Sequence, residues 1–63
     1  MTQPELQLLN VSEVAKLISL SSRTVWRMVS QGVFPKPFHI RKRARWKRED
    51  VITWLNQYLS SQQ

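Results

Sequence analysis

The sequence predicts a mainly α-helical domain in which three helices accompany a small β-hairpin. Two observations predict this fold class. Apolar residues recur at helical spacing in three segments of the chain. Between the second and third segments, apolar and polar side chains alternate with period two, as they do in strands. The predicted helices cover about residues 11–18, 22–31 and 48–60, and the hairpin covers about residues 38–47. This order of elements is that of a winged helix-turn-helix, with the two-stranded hairpin as its wing.

The first two predicted helices carry signals at their ends. Asn10 followed by Glu13 has the form of a capping box, in which each side chain can satisfy an orphan backbone N–H group. Ser21 is the predicted cap of the second helix, with Ser22 as the alternative. Gly32 is predicted to end that helix, because glycine readily adopts the left-handed conformation that follows a helix.

The hairpin and the third helix are expected to supply much of the core. Side chains alternate between the two faces of a strand, so Ile40, Ala44 and Trp46 are predicted to point inward, with the tip of the hairpin near Lys42. The third helix begins near Arg48, and its whole apolar stripe is predicted to be buried. That stripe consists of Val51, Trp54, Leu55, Tyr58 and Leu59.

Length and composition restrict the class of protein. A chain of 63 residues makes one small domain, predicted at residues 9–60 between flexible tails at 1–8 and 61–63. It has no cysteine and one histidine, so neither disulfides nor a metal site is expected to support the core. The sequence shows no pair of nucleophile and base and no glycine-rich phosphate loop. We therefore expect a protein without cofactors that is not an enzyme.

Nothing in the sequence has the form of a membrane helix or a signal peptide. The longest apolar runs fall far short of the ~20 residues that a membrane helix needs. The first residues lack the basic and apolar regions of a signal peptide. The expected location is the cytoplasm, in association with the nucleoid.

The distribution of charge predicts a polyanionic partner. All ten Lys and Arg residues lie between Val14 and Arg48, a stretch that contains no acidic residue. The four acidic residues lie outside it, at Glu5, Glu13, Glu49 and Asp50. Such segregation favours binding to nucleic acid. The alternative is a solvated basic surface that only aids solubility, but solubility does not require the two signs to be separated.

Two groups of residues are the candidate DNA contacts. A recognition helix enters the major groove by its N-terminal end, and that end of the second helix is polar and basic. Its candidate residues are Ser22, Arg23, Thr24 and Arg27. The hairpin is expected to place a second group beside this helix, along the phosphates or in the minor groove. Its members are Arg41, Lys42, Arg43, Arg45 and Lys47. The alternative for the two helices is an ordinary helical hairpin that binds no nucleic acid, and the alternative for the wing is a positively charged turn that makes no contact.

Several short motifs together resemble a known family. They are Val14-Ala15 through Ser21, Thr24-Val25-Trp26-Arg27, Gly32-Val33-Phe34-Pro35-Lys36-Pro37, Arg45-Trp46, Asp50-Val51 and Trp54-Leu55. Over about residues 8–60 they resemble the AlpA family of small phage-encoded regulators, which are related to excisionases and to MerR-type winged helices. The resemblance implies control of a prophage or integrative element. It implies either activation of integrase transcription or action as a recombination directionality factor on double-stranded DNA. An integrase or RNA polymerase is the implied protein partner, and neither role demands catalysis by this chain.

Two other functions are compatible with the sequence. The last helix could make the chain a protein-interaction module that inhibits or recruits a recombinase or a transcription regulator. Single-stranded RNA binding would need exposed aromatic side chains on which bases can stack. Trp46 and Trp54 are expected in the core, with Trp26 partly buried, which disfavours RNA. Exposure of both Trp26 and Trp46 would favour it.

Overall fold

Three helices and a three-stranded antiparallel sheet make up residues 7–62, the part of the chain that the computed structural model describes. In chain order the elements are β1 (Leu8–Leu9), α1 (Val11–Leu17), α2 (Ser22–Ser30), β2 (Phe38–Ile40), β3 (Arg43–Lys47) and α3 (Arg48–Ser61). The predicted winged helix-turn-helix, with three helices and a hairpin, is confirmed. None of the described helices has the length and apolar character of a membrane-spanning segment.

A third strand, β1, was not predicted. Leu8 and Leu9 pair antiparallel with Lys47 and Trp46 of β3, so the strand order is β1-β3-β2. The backbone N–H of Arg48 also donates to the carbonyl of Gln7 at 3.0 Å. The predicted flexible tail at 1–8 is therefore wrong for its last two residues, which the sheet holds in place. Residues 1–6 lie outside the described part of the chain.

Local cap signals determine the helix-turn-helix. The capping box is present: the Glu13 N–H donates to Asn10 Oδ1 at 2.8 Å, and the Asn10 N–H donates to Glu13 Oε1 at 2.9 Å. At the start of α2 the Thr24 N–H donates to Ser21 Oγ at 3.1 Å, which confirms Ser21 as the cap. Both predicted caps therefore satisfy backbone donors that the helices themselves leave unpaired.

Both helices end in the same hydrogen-bonding pattern. After α1, Ser19 has φ 61° and the Leu20 N–H donates to the Ala15 carbonyl at 2.9 Å. After α2, Gly32 has φ 77° and the Val33 N–H donates to the Met28 carbonyl at 3.1 Å. These are Schellman motifs, which place one residue in the left-handed region. Glycine ends α2 as predicted, whereas serine takes the left-handed position in the turn between the two helices.

Six residues form the buried core, contributed by the three helices, strand β3 and the segment before β2. They are Val14, Ala15, Val25, Phe34, Trp46 and Val51. Two indole N–H groups hold the segment before β2 against this core. Trp46 Nε1 donates to the Pro35 carbonyl at 2.8 Å, and Trp54 Nε1 donates to the Val33 carbonyl at 2.7 Å. As predicted, Trp46 is buried and Trp54 packs against the core, although Trp54 remains partly exposed.

The hairpin closes on two residues, which reverses the predicted orientation of Ile40. Ile40 pairs with Arg43, so Arg41 and Lys42 form the turn, with φ 51° and 70°. Side chains of directly paired residues lie on the same face of a sheet. Ile40 therefore shares the face of Arg43, opposite to Trp46, and is 46% exposed. The prediction that Ile40 faces the core is wrong, whereas Ala44 and Trp46 do face it.

The far end of α3 extends beyond the core. Val51 is buried, and Trp54 is packed against the core, but Tyr58 and Leu59 are 50% and 53% exposed. The prediction that the whole stripe is buried is wrong for these last two residues. The helix has 14 residues, whereas α1 and α2 have 7 and 9 and leave its last turns uncovered. It also ends at Ser61, which the sequence placed in the tail.

Candidate nucleic-acid interface

One side of α2 presents two cations to solvent, one near its N-terminal end and one in its last turn. Arg23 and Arg27 are both exposed and lie four residues apart, so they share one side of the helix. Arg23 is the second residue of α2, close to the end that a recognition helix inserts into the major groove. The opposite side of the same helix carries buried Val25, which fixes the direction in which the two guanidinium groups point.

The two hydroxyl residues of this end are less available than the arginines. Ser22 and Thr24 are each half-buried. The hydroxyl of Thr24 lies 3.0 Å from that of Ser21, within the cap of the helix. The backbone N–H of Thr24 is also taken up by Ser21 Oγ, so Thr24 contributes to the candidate surface through its shape. The positive end of the helix dipole lies there and favours a phosphate.

The wing tip consists of two exposed cations on a strained turn. Arg41 and Lys42 both have positive φ, which a two-residue type I′ turn requires. Asn-Gly is the usual sequence for such a turn, because other residues meet steric resistance in the left-handed region. Two long cationic side chains thus occupy the positions where the backbone would favour small residues.

The remaining basic residues of the wing lie on the face of the sheet turned away from α2. Trp46 points into the core and its ring contacts that of Trp26 in α2. Its neighbours Arg45 and Lys47 must point the opposite way, and Arg43 shares their side. These three thus lie on the strand face opposite to buried Trp46, and their contact with DNA remains a prediction.

Three apolar side chains complete this outward surface. Strand pairing places Leu8 opposite Lys47, Phe38 opposite Arg45, and Ile40 opposite Arg43. We call these six residues the outer face. All three apolar members are exposed. They are not among the site residues predicted from the sequence, although a two-residue turn pairs Ile40 with Arg43. Arg45 is half-buried, and its Nη1 donates to the Ala44 carbonyl at 2.7 Å.

A capped recognition helix whose exposed side is basic, next to a wing with a cationic tip, defines a DNA-binding domain of the winged helix-turn-helix class. The family described as "Helix-turn-helix domain" matches residues 8–58, and the chain belongs to this family. Membership supports sequence-specific DNA binding as the class of function. No curated protein and no solved structure gives a match to the chain.

Proposed function

We propose that this chain binds double-stranded DNA by sequence and controls a prophage or integrative element. The N-terminal end of α2 enters the major groove, where Arg23 contacts a base edge and Arg27 contacts a phosphate. The wing tip, Arg41 and Lys42, contacts the adjacent backbone or minor groove. The observation that carries this proposal is the presence of exposed cations on α2 and at the tip of a wing whose strand β3 contacts α2 through Trp26 and Trp46.

The biological role rests on the resemblance to the AlpA family. Regulators of that kind activate transcription of an integrase gene or direct recombination toward excision. Both roles use DNA binding without catalysis by the regulator, and both place it on the nucleoid with integrase or RNA polymerase as its protein partner. A footprint on DNA that contains an integrase gene and its attachment site tests the role. Protection at the promoter alone supports activation, protection at the attachment site supports excision, and protection at neither contradicts both.

Replacement of Arg23 tests base recognition. Arg23→Ala is expected to cost ~1–3 kcal/mol in binding to the footprinted site and to relax specificity at one base pair. Arg27→Ala is the matched control, because loss of a phosphate contact weakens binding to all sequences alike. Binding titrations with the site and with scrambled DNA give both numbers. If Arg23→Ala weakens binding to the two DNAs equally, Arg23 does not read a base.

A groove beside α3 favours a second candidate function, that of a protein-interaction module. Apolar side chains line a hollow of about 280 Å³ between the helix-turn-helix and the end of α3. Its lining residues are Ile18, Leu20, Met28, Trp54, Leu55, Tyr58 and Leu59. A recombinase or RNA polymerase subunit that docks there would stay bound at high salt, whereas DNA would dissociate. Capture of purified integrase or RNA polymerase in high salt, abolished by Leu59→Asp, would support this function.

A further inference from the structure

The three cations of the outer face point away from α2. Trp46 lies between them in β3 and directs its indole to the opposite side, where it meets α2. Arg43, Arg45 and Lys47 therefore lie on the side of the sheet that does not contact α2.

Nothing on the sheet neutralises these cations. The three strands contain no acidic residue. Of the described carboxylates, Glu13 is engaged in the cap of α1, and Glu49 and Asp50 lie in the first turn of α3. The partners of the three cations across the strands are apolar. The positive charge of the outer face is therefore free for an external anion.

The pattern of the outer face fits a phosphodiester backbone. Alternate residues of a strand lie about 6.8 Å apart, which is close to the spacing of successive phosphates along one strand of a nucleic acid. Beside each cation lies an exposed apolar side chain, Leu8, Phe38 or Ile40. A nucleic-acid backbone alternates in the same way, with charged phosphates next to sugars that offer apolar carbon atoms.

We propose that the outer face binds the backbone of a second DNA duplex, so that one molecule bridges two DNA segments. This inference rests on the proposed function, because α2 and the wing tip hold the first segment. Binding of the second segment is independent of sequence, since phosphates carry no base information. The three cations and their apolar neighbours hold it, and no base edge is contacted.

A capture experiment tests the bridge. A short biotinylated duplex carrying the footprinted site is immobilised and saturated with protein, and a fluorescent duplex of unrelated sequence is added. We expect the second duplex to be retained, with retention that falls about 40-fold between 50 and 200 mM salt, as three released counterions predict. Failure of the wild-type protein to retain it would overturn the proposal.

Charge variants locate the second site. Arg43→Gln with Lys47→Gln removes two outer-face cations and spares Arg45, whose side chain also bonds to the backbone. Capture of the second duplex should fall about tenfold or more, while affinity for the first duplex changes less than about twofold. Arg41→Gln with Lys42→Gln, the matched control, should instead weaken binding of the first duplex. Circular dichroism verifies that each variant is folded, and Arg43→Lys should retain capture.

Each other outcome contradicts the bridge. Equal loss of both activities in the outer-face variant would place its cations on the first duplex. Unchanged capture would mean that bridging arises from association between protein molecules. Retention of phosphatidylserine vesicles instead of a second duplex would identify a membrane surface as the ligand. The proposed function is tested separately by discrimination between the footprinted site and scrambled DNA, which does not involve the second duplex.

Discussion

The indole ring of Trp26 lies 5.4 Å from that of Trp46, centroid to centroid, with 54° between the ring planes. Trp26 belongs to α2 and Trp46 to β3, so this pair joins the recognition helix directly to the wing. Trp46 is 1% exposed and fixed in the core, whereas Trp26 is 41% exposed. The separation is in the range that aromatic pairs favour. The pair is therefore one of the contacts that hold the wing against α2.

Replacement of Trp26, the more exposed member of this pair, should weaken DNA binding without unfolding the domain. Trp26→Ala loses an aromatic contact worth roughly 0.5–1.5 kcal/mol beyond its buried area, and the wing loses one of its contacts with α2. Thermal melting and binding titrations measure the two effects. Trp26→Phe keeps a ring against Trp46 and serves as the control. A folded Trp26→Ala protein with wild-type affinity would show that the wing position does not matter for binding.

The salt dependence of binding reports how many phosphates of the first duplex the protein neutralises. If Arg27, Arg41 and Lys42 contact its phosphates, log K should fall against log salt with a slope near −3, at about −0.9 per phosphate. If the three outer-face cations contacted the same duplex, the slope would be near −5. Titrations with a single short duplex at several salt concentrations distinguish the two values. The shallower slope agrees with a separate second site, and the steeper slope contradicts it.

Trp54 should be essential to the stability of the fold. The centroid of its indole ring lies 4.7 Å from that of Phe34 and 5.4 Å from that of Tyr58, on which it stacks. Its Nε1–H group donates a hydrogen bond to the Val33 carbonyl. Trp54→Ala should cost roughly 3–5 kcal/mol, which approaches the whole stability of a small domain. Trp54→Phe keeps the ring contacts and should cost about 1 kcal/mol for the hydrogen bond. Denaturant unfolding measures both, and an unchanged midpoint for Trp54→Ala would rule out this role.

Replacing the two wing-tip cations with small residues should stabilise the fold and remove charge from the DNA-binding surface. Arg41→Asn with Lys42→Gly puts small residues into the left-handed region and should stabilise the fold by about 1–2 kcal/mol, because left-handed strain is relieved. The same change removes two cations, so the salt slope should become shallower by about two. Arg41→Gln with Lys42→Gln removes the charge but keeps the strain. Equal melting temperatures for the two double variants would mean that the turn stores no strain.

Features set by neighbouring residues could be predicted from the sequence. The caps at Asn10 and Ser21, and the end of α2 at Gly32, depend on hydrogen bonds within three to five residues, and all three are confirmed. The basic side of α2 could be predicted because helical spacing alone determines which residues share a side. The proposed DNA contacts of Arg23 and Arg27 remain predictions, because they depend on a partner.

Features set by pairing between distant residues could not be predicted. Two leucines are too short a run to show alternation, so β1 has no signal of its own. The orientation of Ile40 depends on the length of the turn. A turn of two residues pairs Ile40 with Arg43 and so reverses the alternation from one strand to the next. The exposure of Tyr58 depends on how far α1 and α2 reach along α3. The spacing of apolar residues within α3 does not predict this.

The long separation between β1 and β3 along the chain leads us to expect that β1 joins the sheet late in folding. Leu8 pairs with Lys47, 39 positions later along the chain (47 − 8), whereas β2 and β3 are joined by two residues. The hairpin can close in about 1–10 μs, but β1 has to wait until the chain up to β3 is in place and the long loop has closed. During synthesis the first strand thus leaves the ribosome early and docks late. Substitutions at Leu9 should consequently accelerate unfolding and leave the rate of folding almost unchanged.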